Sequence, residues 1–340
     1  MNGFTRYHTT DRKLATLAYI AGQPVKASLS LRHRYSSVCG VLNVVMKGGA
    51  IDPVGGAQEG ILALINNLYV TVNGTSNQKH AVTGKQIFVR SIETTRKVPA
   101  GFESLGNADK TYEVIFDWML SPANIAPSQA RDFGLDLLKE ASGQASLDLA
   151  EVVWQCGTNA DLYATAGDMG VQSASLELYG VEEMLPVLAN GQAYNRANEF
   201  INRTIVREFP DALGTVEIEA PRVANSFLTG ITLVQNFSKS ANAFIQLSEN
   251  ITLADDEYKW KDAPIKVLNK RQNAVLDDVP ANIIFIPLME QNDLRTALPD
   301  ASFSDQLMLR VPVNPLAAGG PDQKLSLTAI FHFAKEPSLS

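Results

Sequence analysis

Apolar and polar residues alternate at period two through most of the chain, in short runs separated by Gly, Asn, Asp and Pro clusters. Such alternation predicts strands with one face turned inward. A first series covers 28–35, 41–47, 67–73, 86–93, 111–120, 146–154 and 174–180. A second covers 203–209, 215–220, 228–234, 243–253, 264–269, 282–289, 306–313 and 324–333. Helical spacing is confined to 11–22, 128–141 and 181–200. About fifteen strands exceed what one simple sandwich holds, so two β units are expected. The expected division is an arm at 1–27, a first unit at 28–180, a linker at 181–200 and a second unit at 201–340 with a short tail.

The two series end alike. YEVIFDWML leads through a long connection to SLDLAEVV and then to ASLELY; NIIFIPLM leads likewise to QLMLRVPV and then to KLSLTAIF. Loops are longer in the first unit, and chance likeness between two β-rich halves stands as the alternative to duplication. A unit of seven or eight strands with this order suits an eight-stranded jelly roll. In the strand at 111–120, Val114, Phe116 and Trp118 share one face, and Glu113, Ile115 and Asp117 the other.

The 340 residues are 45% hydrophobic and only 19% charged, with a net charge of −7, so the chain is globular and unsuited to gripping nucleic acid over its whole surface. The charge is unevenly placed. Residues 1–35 hold Arg6, Arg12, Lys13, Lys26, Arg32 and Arg34 against Asp11, a net of +5, which leaves −12 for the rest. Within that basic region Leu14, Leu17, Ala18 and Ala21 fall at helical spacing after a capping Thr10 or Asp11. A helix there could lie on an anionic membrane, pack on a partner subunit or dock on its own β unit. The apolar runs 61–65 and 283–289 are too short to cross a bilayer, and Thr16 and Tyr19 interrupt the apolar stretch a secretory signal would need.

No chemistry is nominated. Residues 81–86 contain Gly-Lys without the rest of a phosphate-binding loop and read as a turn entering a strand. Cys39 and Cys156 are expected as buried free thiols, and His33 and His332 as satisfied imidazoles in strands. Glu113 and Asp117 would stand about 13 Å apart, too far for a glycosidase pair. The acidic segments 254–262 and 276–278 lack a calcium-loop spacing and read as solvated turns. No catalytic residue and no cofactor are expected, structural calcium is not indicated by a motif, and the metal question is left open.

Two tandem rolls, a basic arm and no catalytic signature make the chain resemble the double jelly-roll major capsid proteins of icosahedral viruses with an internal membrane, of the tectivirus, corticovirus and finnlakevirus kind within the adenovirus lineage. The segments carrying the resemblance are 65–74, 112–154 and, in the second unit, 282–313. The resemblance implies an all-β fold of two tandem eight-stranded jelly rolls, with short helices in loops and at the N-terminus. It implies a homotrimer whose six rolls form a pseudo-hexagonal tile. The loops at 94–110 and 155–173 would form towers or contacts, and the arm would point towards an internal lipid membrane, with Arg6, Arg12, Lys13, Leu14 and Leu17 as the membrane-facing residues. Partners would be further copies, penton and minor capsid proteins, without sequence-specific nucleic-acid binding. The place would be the virion, assembled in the host cytoplasm. The rival is a secreted carbohydrate-binding or glycan-processing β-sandwich, which would need an exposed aromatic platform that the scattered Trp118, Trp154 and Trp260 do not make evident; an enzyme on the same scaffold is a third class.

Overall fold

The computed structural model describes residues 8–31, 34–74, 78–95, 97–98, 105–118, 120–122, 125, 133–137, 149–184, 201–209, 214–235, 249–271, 280, 282–290, 293–299, 306–313 and 326–335. Four antiparallel sheets account for most of them. Sheet I runs β1 (His8–Ala18), β11 (Gly170–Met184), β3 (Arg34–Lys47), β7 (Lys110–Asp117), with β8 (Leu135–Asp136) also on β3. Sheet II runs β2 (Pro24–Ser28), β9 (Ala150–Cys156), β5 (Ile65–Val72), β6 (Gln78–Val82). Sheet III runs β12 (Ile201–Phe209), β20 (Leu327–Lys335), β14 (Ser226–Gln235), β17 (Ile283–Pro287), with β18 (Leu298–Pro299) on β14. Sheet IV runs β13 (Gly214–Glu219), β19 (Met308–Val313), β15 (Asn250–Ala254), β16 (Lys259–Pro264). A short ribbon pairs β4 (Val54–Gly56) with β10 (Tyr163–Thr165).

The two halves share one topology. If the eight main strands of each half are counted along the chain, one sheet orders them first, eighth, third, sixth and the other second, seventh, fourth, fifth, in both halves. Each half is therefore a jelly roll. Helix α1 (Gly84–Thr95) follows the fifth strand of the first roll, and helix α3 (Ile265–Arg271) follows the fifth strand of the second. A one-turn helix α2 (Asn159–Leu162) has no counterpart in the second roll among the described residues.

Register explains where the ends lie. His8 pairs with Met184 and Arg34 with Glu183 at one end of sheet I, while Lys47 pairs with Gly170 at the other. Ile201 pairs with Lys335 at the corresponding end of sheet III. The start of β1, the end of β11, the start of β12 and the end of β20 thus share one end, here the terminal end. The connections at 48–64, 105–109 and 157–169 share the other, the loop end. Asn202 Nδ2 donates to Ser121 O at 3.4 Å at the terminal end, and the Gln58 and Asn282 amides exchange hydrogen bonds of 3.3 and 2.9 Å at the loop end, so the rolls stand side by side in the same sense.

Sheet I and sheet III differ in what they cover. The outward face of sheet I is exposed or half-buried, and β7 alternates cleanly between exposed and buried positions. The three strands β14, β17 and β20 of sheet III are buried on both faces. Ile231, Leu233, Ile284, Ile286, Phe331 and Phe333 face the core of their own roll, while Val234, Ile283, Phe285 and Ile330 belong to the core of the first roll. Four such side chains correspond to roughly 6–12 kcal/mol of apolar burial, on the order of the net stability of a whole domain, so the rolls are locked together.

Three expected elements are replaced by others. Residues 11–22 form no helix: 8–18 are edge strand β1, with Ala15 and Leu17 buried and Leu14 half-buried at a register shift between Lys13 and Ala15. The extra residue at that bulge mimics helical spacing, and Leu14 fits because it lies over Gly180 and Tyr35. Residues 86–93 lie in α1, which starts from a capping box in which Thr83 N donates to Gln86 Oε1 at 2.8 Å and Gln86 N to Thr83 Oγ1 at 3.3 Å. Residues 264–269 lie mostly in α3. The expected strand 28–35 divides between the end of β2 and the start of β3. Of the expected helix at 128–141, residues 135–136 form β8 and 126–132 and 138–148 lie outside the described residues, as do 185–200 of the segment 181–200, whose first residues complete β11.

Because Leu17 sits in the core and Ile20 is 55% exposed in the next turn, Leu17→Asp is expected to cost about 3–5 kcal/mol in urea unfolding, and Ile20→Asp no more than about 0.5.

Candidate assembly surface

Among the described residues no three His, Cys, Asp or Glu side chains come together as a metal site. Glu113 and Asp117 stand two pleats apart on one exposed face of β7. In the segment 254–262, Asp255 Oδ1 accepts from Glu257 N and Tyr258 N at 3.0 and 2.6 Å, which closes a turn, and Asp262 accepts from Lys259 Nζ at 3.2 Å. The segment 276–278 lies outside the described residues. Cys156 is buried and Cys39 half-buried, both as free thiols. Trp118 and Trp154 are core residues that donate to His80 O and Leu64 O. Trp260 is half-buried and tilted 47° against the exposed Tyr258, so the pair presents one open ring rather than a flat platform.

The residues expected to face a membrane divide. Arg6 lies outside the described residues. Arg12 Nε reaches the buried Glu182 carboxylate at 2.9 Å while the rest of its side chain stays exposed. Lys13 Nζ donates to Glu177 Oε1 at 2.7 Å and stands 5.8 Å from the centre of the Tyr179 ring. That hydrogen bond holds the Lys13 ammonium above its ordinary range and the Glu177 carboxyl below its own. Leu14 and Leu17 are turned into the roll.

The surfaces left to act are broad ones. Across the outward face of sheet I the register sets Lys13, Tyr179, Cys39 and Asp117 in one row, and Thr16, Glu177, Val41 and Ile115 in the next. Ile115 is 57% exposed at the sheet edge. Its middle rows carry three carboxylates, Glu113, Asp117 and Glu177, against the Lys13 ammonium, and are acidic beside the apolar Val41 and Ile115.

The matching face of sheet III is already covered by α1. Ile87, Phe88, Val89, Arg90 and Ile92 of α1 are all buried, Arg90 Nη2 donates to Ser121 O at 3.0 Å, and Arg90 and Glu93 lie close enough to His332 of β20 to shift its proton affinity. Among the described residues helix α3 has no such cover: Ile265 and Leu268 pack inward, and Lys266 and Val267 are exposed.

The loop end forms a braced cap. Gly48 N donates to Asp109 Oδ1 at 2.8 Å, Ile51 N to Asp168 Oδ2 at 2.9 Å, Asp168 N to Ile51 O at 3.0 Å, and Tyr163 Oη to Gly106 O at 2.9 Å. Gly167, at φ 55°, allows the 163–170 turn to approach the Ile51 carbonyl, where a Cβ would come within 2.4 Å. Portions of both expected tower or contact loops, 94–110 and 155–173, thus meet 48–56 in one structure, and Ile51 and Val54 project from it. Burial, with Tyr112 nearby, pushes the Tyr163 phenol up to about 12.

A cleft of about 460 Å³ opens between the rolls, lined by Glu59, Ile65, Lys85 and Asp161 of the first and Val206 and Glu208 of the second. Burial raises Glu59 to about 7, with Lys85 opposing and Asp161 adding to the shift. No sequence motif marks Glu59, which is buried at the floor of this cleft.

No protein-family model and no curated protein sequence matches the chain. Solved structures do match over nearly its whole length. The major capsid protein P2 of bacteriophage PM2 is 15% identical, with 98% of this chain and 99% of that one covered at a TM-score of 0.59. The STIV major capsid protein is 11% identical, with 97% of each chain covered at 0.66. The Faustovirus major capsid protein is 5% identical, with 99% and 92% covered at 0.57. The shared fold is the double jelly roll.

Because the Asp168 carboxylate accepts from the Ile51 amide, Asp168→Ala is expected to cost about 1 kcal/mol. In hydrogen exchange it should speed the Ile51 amide while leaving those of β3 and β11 unchanged.

Proposed function

We propose that the chain is the major capsid protein of an icosahedral virus and that it works by self-assembly as a homotrimer. The observation that carries this reading is a seam made once within the chain and left open on both of its outer sides. Inside the chain, the helix after the fifth strand of one roll covers the outward face of the next roll's sheet III. The second roll carries the equivalent helix, α3, with Lys266 and Val267 uncovered. The first roll carries the equivalent face, sheet I, with Ile115 uncovered.

A second copy fits both gaps with one head-to-tail contact, and such a contact gives a closed ring when its rotation closes. Three copies would place six rolls in a pseudo-hexagonal tile, with intramolecular and intermolecular seams alternating. Charge supports the match. The α3 sequence holds Lys266, Lys270 and Arg271 and no acid, against Glu113, Asp117 and Glu177 on sheet I. The shared fold with proteins described as major capsid proteins points the same way.

An internal membrane belongs to the same reading. The terminal end, where Arg6 precedes β1 and Arg12 reaches Glu182, would face lipid head groups, and the braced loop end would face outward. Penton and minor capsid proteins would meet the tile at its rim, within the virion.

Sedimentation of the purified chain is expected to give a trimer. Ile115→Arg or Val267→Asp should each convert it to monomers, while costing the monomer no more than about 0.5 kcal/mol because both side chains are exposed. A wild-type monomer, or an Ile115→Arg trimer, would overturn the reading.

A further inference from the structure

Three buried titratable side chains each carry a polar atom without a partner among the described residues: Glu59 Oε2, His80 Nδ1 and His332 Nδ1. Each belongs to an element at the junction of the rolls. Glu59 lines the cleft between them, His80 lies on β6, which meets β12, and His332 lies on β20 opposite α1. The unpartnered Glu59 oxygen is sealed from solvent beneath the cleft wall. What exchanges there is a proton and not a ligand.

The charged surroundings leave little room for a change of state. His332 Nε2 lies 2.9 Å from Thr232 Oγ1 of β14. Across the seam its charged neighbours are Arg90 and Glu93 of α1, already joined to each other at 3.1 Å. A proton on the imidazole would set a second cation beside Arg90 with one carboxylate to serve both. His80 has Lys79 as its charged neighbour. Around Glu59, Lys85 of α1 faces Asp161 of α2 and Glu208 of β12. Ionised Glu59 would be a third carboxylate answered by one ammonium.

We propose that the seam between the rolls is a proton-operated latch, tight while His332 is neutral and Glu59 is protonated, and loosened when either changes state. The latch does not depend on the assembly reading, since every group belongs to one chain. Burial, with Arg90 adding, lowers His332 from 6.5 to about 4. Its contribution is complete above 6.5 and is lost as pH falls towards 4. His80, lowered to about 4 by burial and Lys79, acts with the same sign. Glu59, raised from 4.5 to about 7, contributes fully below 4.5 and loses that contribution as pH rises through 7. The seam is tightest between these limits.

The test is thermal unfolding of the full chain across about pH 4 to 9, a range that spans both transitions. The wild type is expected to lose stability on both sides. Glu59→Gln should remove most of the alkaline loss, and His332→Gln part of the acid loss. Should His332→Gln fail to fold, Glu93→Gln serves instead. Without its carboxylate the imidazolium is less tolerated, but Arg90 is also left unpaired at every pH, so its signature is a steeper acid limb and not a uniform drop. Profiles of Glu59→Gln and Glu93→Gln parallel to the wild type would overturn the latch.

Discussion

Burial of three strands of sheet III on both faces is the constraint on which the rest of the molecule depends. An antiparallel sheet ordinarily turns one face to its own core and the other to water. Here the second face of β14, β17 and β20 is apolar and joins the core of the first roll through Val234, Ile283, Phe285 and Ile330. The rolls cannot part without exposing that face. The amide pair of Gln58 and Asn282 at the loop end and the Asn202–Ser121 contact at the terminal end then fix their relative slide.

That arrangement makes the two rolls unequal although their topology is the same. The seam within the chain is centred on a large apolar contact, with its titratable groups sealed inside it. The corresponding surfaces at the outer sides, sheet I and α3, are charged with small apolar centres at Ile115 and Val267. A chain that must fold alone and associate afterwards needs this division, because two apolar outer faces would aggregate before they docked. The same seam shelters His332 and Glu59 from water, so its stability is tied to their protons. Interior burial and pH response are two consequences of one packing choice.

Much of the fold was legible along the chain because jelly-roll strands with one wet face alternate strictly. β7 is the clearest case, with Val114, Phe116 and Trp118 inward and Glu113, Ile115 and Asp117 outward. The parallel order of the last three strands in each half was also legible. Helix α1 was not, because a helix wedged between two rolls is buried nearly all round and shows no single apolar stripe. Its one local signal was the Thr83-x-x-Gln86 capping box. β1 was misread for the opposite reason: a bulge at Leu14 set Leu14 and Leu17 three apart, as a helix would.

The amino-acid sequence alone determined the strand content, the two-unit division and the order of elements, because these follow from periodicity and turn residues, which are local. Only the tertiary structure decided which sheet has strands buried on both faces, which faces stay exposed, and that Glu59 lies beneath the seam. Those outcomes depend on contacts between residues more than a hundred positions apart, as between Gln58 and Asn282. Alternation within a strand records which side is apolar, but not whether water, a neighbouring roll or another molecule will cover it.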